Sequence, residues 1–474
     1  SFHSLFPLAL SSLSVYKLPL KPEIKFFMKT FTHTFRLGLL VGLIGLAMPL
    51  VAQQPDLQYF RPWDQNGINQ FEPPKSAEQP VYDGFKIRIG GSFTQEFQAL
   101  NHSNVDTSLA GVNALYDLGP GFNLAMANLM LDFQIADGIR VSLENYMSAR
   151  HHPEFWVKGG YIQIDKLPMF KNPEWFEDYF RVKIGHFTPN YGDMHFRRND
   201  GGNAMYNPFV ENMIMDAFTT EIGGEVYVFP VEGFMGMVGI TSGFINGNVA
   251  DYPDDVPLAV GDVEPTKKNP SIFLKLAYDD QVSEDFRVRL SASYYRNSSI
   301  QRNTLYAGDR TGSQYYFAME PAITNGAPTS SQTSFTSGRI NPGFSNEVGT
   351  FMINPFIKWK GLEAFGVIEM ASGRTYKEAD TRDFTQYAGE LVYRFCKNEQ
   401  LFAGARYNVV NGQLSGYTED VSIDRIAFSA GWFPTPNLLL KGEYVVQNYN
   451  DFKGSDVRHQ GEFNGFMVQA VVGF

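Results

Sequence analysis

Residues 463–474 read FNGFMVQAVVGF, and the stretch alternates to the end. Phe474, Val472, Ala470, Val468 and Phe466 fall on one face of a strand, and Gly473, Val471, Gln469, Met467 and Gly465 on the other, because successive side chains of a strand point to opposite faces. The same period recurs upstream. In DFRVRLSASYY, Phe286, Val288, Leu290, Ala292 and Tyr294 oppose Arg287, Arg289, Ser291 and Ser293; in FKIRIGGSFTQEF, Phe85, Ile87 and Ile89 oppose Lys86, Arg88 and Gly90. About sixteen segments have strand length and composition: 84–99, 121–135, 138–150, 155–165, 179–189, 219–229, 233–245, 270–279, 285–298, 350–360, 362–373, 384–396, 400–410, 420–433, 437–449 and 463–474. The excess of 41 Phe, 24 Tyr and 44 Gly suits strands and turns. Alternation alone leaves two architectures open. A soluble sandwich turns its apolar face inward. A sheet in lipid turns it outward and must close on itself, because oil cannot satisfy backbone groups at a sheet edge.

Three features decide for the closed antiparallel transmembrane barrel of about 16 strands. The first is an export signal. The only long apolar run, Leu37 to Ala52, follows Met28, Lys29 and Arg36 and ends on a small residue. It is too short for a spanning helix of about 20 residues and reads as a signal peptide over 28–52, cleaved after Ala52. Residues 1–27 read as an upstream, non-native extension. No Cys lies in the leader, so lipoprotein processing is not expected. The second is link length. Short turns at ADG, PVEG, KG, PTPN, DQVSED and KNE largely alternate with long links at 100–120, 190–218, 246–269, 299–349 and 450–462, as short periplasmic turns and long outer loops require. The link at HPE is shorter, and LPMFKNPEWFEDY longer, than this rule predicts. The third is an aromatic girdle. Seven of the eight strands running toward the short turns finish on aromatics: Phe133, Tyr227 with Phe229, Tyr278, Trp359, Tyr393 with Phe395, Trp432 with Phe433, and Phe474. Such rings settle at a membrane–water boundary. Residues 53–83, with Pro55, Pro62, Pro73, Pro74 and Pro80, show no alternation and read as an irregular periplasmic arm before a barrel over 84–474.

Charge and cysteine usage narrow the function. Removing residues 1–52 deletes five Lys/Arg and one acid and takes the formal charge from −11 to −15, which argues against nucleic-acid binding. One Cys, Cys396, excludes an internal disulfide framework, and no zinc-finger spacing occurs. No cofactor is implied. The terminal Phe474 behind an alternating strand resembles the recognition signal of the outer-membrane barrel assembly machinery.

Two stretches resemble the phosphate-selective porin O and P family, in particular its relatives in Bacteroidetes-type bacteria. YFRPWDQNGINQFEPPK, Tyr59 to Lys75, is similar to the opening arm of those proteins, and FRVKIGHFTPNYGD, Phe180 to Asp193, to the strand that enters their inner loop. The resemblance implies a sixteen-stranded barrel in the outer membrane of a Gram-negative bacterium, in contact with lipid and lipopolysaccharide, often a homotrimer, passing small hydrophilic solutes or anions. It also implies a third outer loop folded inward to narrow the lumen. The family's phosphate selectors carry a ladder of lysines and arginines with no alignable counterpart here, so the solute stays open.

A passive pore needs a constriction with suitable charges rather than a catalytic group. The third-loop candidates are Asp193, His195, Arg197, Arg198, Asp200 and Glu211, with Arg197 and Arg198 offered to a passing anion and Asp193 and Glu211 setting a field across the pore. The competing reading is that these charges pair with each other. On the wall, alternation turns Lys86, Arg88, Arg140, Arg181, Lys183, Arg287, Arg289, Arg406, Arg425 and Lys441 inward, with Glu96, Glu144, Glu221, Glu225, Glu390 and Glu443, where water is expected to hydrate them. The basic excess points to an anion preference, and many of the acids fall in outer loops such as Asp251 to Asp255. His151, His152 and Glu154 in HHPE are placed for a surface turn rather than a metal, since adjacent strand side chains point apart. No nucleotide-binding or hydrolase motif is found. Two alternatives remain: a surface adhesin using loop 299–349, and an outer-membrane hydrolase, for which His186 and His195 lack an evident serine partner.

Overall fold

A computed structural model describes residues 54–106, 113–199, 201–247, 249–253, 257 and 259–474, with Pro55–Phe474 forming one compact unit. The expected leader (28–52) and the 1–27 extension lie outside the described residues, as do Asp200, Asp254 and Asp255. No helix among the described residues is long and apolar enough to cross a membrane.

All sixteen expected segments are strands. They are β1 (Lys86–Ser103), β2 (Gly121–Ala136), β3 (Ile139–Ser148), β4 (Trp156–Ile164), β5 (Phe180–Phe187), β6 (Glu221–Val228), β7 (Phe234–Thr241), β8 (Ser271–Ser283) and β9 (Phe286–Asn297). A two-residue hairpin, β10 (Ile323–Thr324) and β11 (Ala327–Pro328), interrupts the fifth outer loop. The series resumes with β12 (Glu347–Trp359), β13 (Leu362–Arg374), β14 (Arg382–Phe395), β15 (Leu401–Gly412), β16 (Val421–Thr435), β17 (Leu438–Asn450) and β18 (Glu462–Gly473). Each barrel strand pairs antiparallel with its neighbours, and β18 pairs with β1 to close a sixteen-strand barrel. At the seam the Phe474 N–H donates to the Gly91 carbonyl and the Gly91 N–H to the Phe474 carbonyl, both at 3.0 Å. A side chain at Gly91 would meet the Phe474 ring within 2.6 Å, so the last ring lies over a glycine on the closing strand.

The two irregular links have local causes. HPE is bridged by a 3-10 turn, Ala149–His151, capped by the Ser148 hydroxyl. The long link holds a 3-10 turn, Pro168–Phe170, and a one-and-a-half-turn helix, Glu174–Tyr179.

The outward face is apolar on every strand: Ile87, Leu143, Ile184, Val238, Leu276, Leu290, Met370, Leu391, Phe428, Phe466 and Val468 are exposed. So wide an apolar belt has no counterpart on soluble monomers and marks a lipid-facing surface. The girdle holds with corrections. Trp359, Tyr393, Trp432 and Phe474 face outward and are about half exposed, whereas Tyr227, Phe229 and Phe433 are buried inside the barrel. Tyr227 stands two residues after inward Glu225, so the pleat that turns Glu225 to the lumen carries Tyr227 with it.

The lumen is not an open tube. The third outer loop (188–220), the arm (54–85) and much of the fifth loop (298–346) fold into it. Phe209, Val210, Met213 and Ile214 of the third loop, Tyr59 and Phe71 of the arm, and Tyr306, Tyr315, Ile340 and Phe344 of the fifth loop are buried. The arm crosses the short-turn mouth, where the Gln65 N–H donates to the Pro436 carbonyl and Lys75 pairs with Asp165 at 3.3 Å. Parts of loop 299–349, the stretch assigned to an adhesin, are interior fill, chiefly around 311–319 and 337–340, while β10 and β11 are exposed.

Candidate functional site

The third loop leaves the wall where β5 ends. Thr188 and Pro189 follow Phe187, and Gly192 takes a left-handed φ of +65° with its Cα packed against Met352, a place where a side chain does not fit. The next residues are the expected constriction candidates. Asp193 receives Arg289 at 2.8 Å and pairs with Lys275 at 2.7 Å. Glu72 of the arm joins the same two cations, at 2.7 Å from Arg289 and 2.8 Å from Lys275. Burial raises both carboxyls, but Arg289 and Lys275 outweigh it: Asp193 is held well below the carboxylate range and Glu72 is lowered to about 2. Arg197 donates to Asn69 of the arm, binds Glu390 at 3.1 Å and lies 3.8 Å from Glu363. Arg198 pairs with Asp216 at 2.6 Å and Asp309 at 2.9 Å. Glu211 accepts from the Ser313 hydroxyl and the Gln314 N–H, both at 2.6 Å. His195 is pushed well below the imidazole range by burial and by the Lys275 ammonium.

These residues therefore hold the loop in place. Arg197, Arg198, Asp193 and Glu211 are almost wholly buried; Asp193 and Arg197 pair with charges of the wall, Arg198 with Asp216 of its own loop and Asp309 of the fifth, and Glu211 with Arg339 of the fifth. The two stretches that carry the family resemblance, Tyr59–Lys75 and Phe180–Asp193, meet here through Asn190, which donates to Glu72 at 2.8 Å.

The ten basic wall residues point inward, as alternation requires. The expectation that water hydrates them needs correction for Arg289, Arg406, Arg425 and Lys441. Arg289 and Arg406 are buried against carboxylates and Arg425 against carbonyls, and Lys441 donates to the carbonyls of Ala204, Asn207 and Phe209 at 2.7–2.9 Å. The third loop occupies the space that water was expected to fill, and its backbone carbonyls take over as acceptors. Lys86, paired with Asp83 at 2.8 Å, and Arg88, over the Phe60 ring, stay partly exposed near the short-turn rim.

Void space persists on one side. An outer cavity of about 530 Å³ opens between β4, the third loop and residues 302–311. A central cavity of about 230 Å³ lies against β3, β4 and β5, and a cavity of about 870 Å³ opens at the short-turn mouth beside the arm. The central cavity is lined by six bases, Arg61, Arg140, Lys158, Arg181, Lys183 and Arg198, against two acids, Glu72 and Glu144. Asp132, Asp165 and Glu225, which pair with Arg140, Arg181 and Lys183 at 2.6, 2.7 and 3.5 Å, are absent from that lining and sit behind the bases. His195 and Arg198 line this cavity; Asp193, Arg197 and Glu211 do not.

Lys158, Arg61, Glu72 and Lys275 escape sequence reading. For Lys158 the cause is a bulge: the pairing passes from Glu144↔Gly159 to Asn145↔Val157, skipping Lys158. Lys158 and Tyr161 thus both line the cavity although three residues apart. The Gly159–Gly160 pair was the available signal, since glycines inside a strand mark bulges.

His186 approaches the Thr220 hydroxyl at 2.9 Å. His151 donates to the Arg310 carbonyl at 3.2 Å and lies 3.9 Å from Glu154; the expected surface turn is partly covered, since His151 is buried. Among the described residues no group of three or more His, Cys, Asp or Glu is placed to hold a metal. Cys396 is exposed in the turn between β14 and β15.

No protein-family model and no curated protein matches the chain. Among solved structures it is similar to an anion-selective porin from Comamonas acidovorans, at 8% identity and a TM-score of 0.48, covering 82% of this chain and 100% of that one. Outer-membrane expressed OmpT of Vibrio cholerae is similar at 11% identity and TM-score 0.47, over 84% of this chain and 100% of that one. Pseudomonas putida OprB is similar at 10% identity and TM-score 0.46, over 82% and 94%. Identities this low say nothing about solute.

Proposed function

We propose that the chain is a porin of the Gram-negative outer membrane, a channel for passive diffusion of small hydrophilic solutes and ions with a preference for anions. One observation carries the reading: a closed barrel with an apolar exterior encloses a polar interior that retains cavities at both mouths and a basic cavity between them. The anion preference rests on the lining, where bases face the void and their carboxylate partners stand behind. Reconstitution of the full chain in planar bilayers tests both parts. Discrete conductance steps are expected, with a reversal potential in a KCl gradient that favours chloride. Silence in the bilayer overturns the porin reading, and cation selectivity overturns the anion preference.

The outer leaflet's lipopolysaccharide and the barrel assembly machinery are the partners this reading implies, the latter through the Phe474 end. A homotrimer is also part of it. Strands β5, β6 and β7 have eight residues each, fewer than the 9–11 that a tilted strand needs to cross the hydrocarbon. Neighbouring copies would cover that low arc, which exposes Ile184, Ile222, Val238 and Ile240. Mass measurement in mild detergent checks the trimer, and a monomer at all concentrations refutes it.

A further inference from the structure

The lumen is filled unevenly. Lys441 holds three carbonyls of the third loop, and Arg406 and Arg425 donate to the carbonyls of Glu211 and Asn212 at 2.6 and 2.7 Å. Asn408 and Gln386 accept from the N–H groups of Ile214 and Met215 at 2.7 and 3.0 Å. All five anchors stand on β14–β17, so residues 204–215 lie against that wall. Three cavities follow one another on the other side, the outer and central ones against β3–β5 and the short-turn one against β7–β9. The outer and central cavities share Lys158, Phe218 and Thr220; the central and short-turn cavities share Tyr59, Phe71 and Glu72.

The central lining is aromatic as well as basic. Lys183 lies 4.6 Å from the Tyr161 ring centre, Arg181 5.3 Å from that of Tyr59, Arg140 5.9 Å from that of Phe60, and Arg61 3.8 Å from that of Tyr206. Cations laid on ring faces are held without a carboxylate in front of them. A bare inorganic ion gains only from the charge of such a lining. An anion with a hydrocarbon body gains from charge and from ring burial together.

Building on the porin reading, we propose that solutes cross along the β3–β9 wall, past Lys158, and that the central cavity is a binding waist for small carboxylates with an apolar or aromatic body. Lys158, with Nζ 3.2 Å from Glu144, guards the outer entrance and meets the carboxylate. Tyr59, Phe60 and Tyr161 receive the body. Arg197, wholly buried in its own ion pairs, is a positioning residue for the loop.

The test uses the full chain in planar bilayers, with Cys396→Ser removing the native thiol. Lys158→Cys and Thr220→Cys, treated with a bulky methanethiosulfonate reagent, are expected to lose most of their current. Ser429→Cys on β16, away from this wall, is expected to keep it. Either of the first two labelled to completion by mass, yet conducting unchanged, overturns the route. In the unlabelled protein, sodium benzoate on one side and sodium phosphate on the other are expected to give a permeability several-fold higher for benzoate. Parity or a phosphate excess overturns the waist assignment. Absence of current from the unsubstituted chain overturns the porin reading instead, so the failures are distinguishable.

Discussion

Arg197 illustrates how a charge changes role once a lumen is filled. In sequence it is a loop arginine suited to attract anions; in the folded chain it ties the third loop to Asn69 of the arm and to Glu390 on β14. Truncating one member of a buried ion pair typically costs about 3–5 kcal/mol, because the partner stays buried and uncompensated. Glu390 retains Arg406 at 2.7 Å and Glu363 retains Arg394 at 2.6 Å, so Arg197→Met should fall near the lower end of that range. A drop in the temperature of the heat-dependent gel mobility shift measures it. Glu72 carries the pH dependence. Its carboxyl lies at about 2 when folded, below its ordinary 4.5, so its contribution is fully present above about pH 4.5 and is lost as pH falls toward 2. Protease cleavage within residues 55–83 is therefore expected to rise across that window, and Glu72→Gln to flatten the dependence. The identities of Arg197 and Glu72 were legible as charged residues. Their partners were not, since Asn69 and Glu363 lie 294 positions apart and yet hydrogen-bond.

At the scale of the strand, the sequence is most informative. A period of two assigns faces with no knowledge of neighbours, and the sixteen segments it marks are the sixteen barrel strands. Where the period breaks, the reading breaks with it, as at the Lys158 bulge. Where aromatic identity was given more weight than the period, as at Tyr227, the pleat decided. The lipid-facing assignment has a direct energetic consequence. Leu276, near the middle of β8 and largely exposed, faces the hydrocarbon, and Leu276→Arg is expected to destabilise the barrel by about 2–4 kcal/mol. Refolding into lipid vesicles under urea titration reads the difference, and an unchanged midpoint would mean that this face does not touch lipid.

For the whole molecule, the barrel and its filling are separable. The ladder from β1 to β18 closes through backbone pairs alone, while the arm attaches through side chains and a few turn contacts such as Gln65 with Pro436. Deleting residues 55–83 should leave the heat-dependent mobility shift of a closed barrel and raise single-channel conductance, because the arm lines both the central cavity and the wider one at the short-turn mouth. Loss of the mobility shift would show that the arm is needed for closure.

Alternation, link lengths and the aromatic ends of strands are local properties. They suffice to specify a closed sheet in lipid, because an exposed edge in hydrocarbon is too costly to survive. What occupies the inside is not a local property. A strand pattern states that Arg406 or Lys441 faces inward, but not whether water, a carboxylate or a loop carbonyl meets it there. Only the tertiary structure decided that the third loop rests on β14–β17 and leaves cavities along β3–β9, since that choice depends on contacts between residues far apart in the chain.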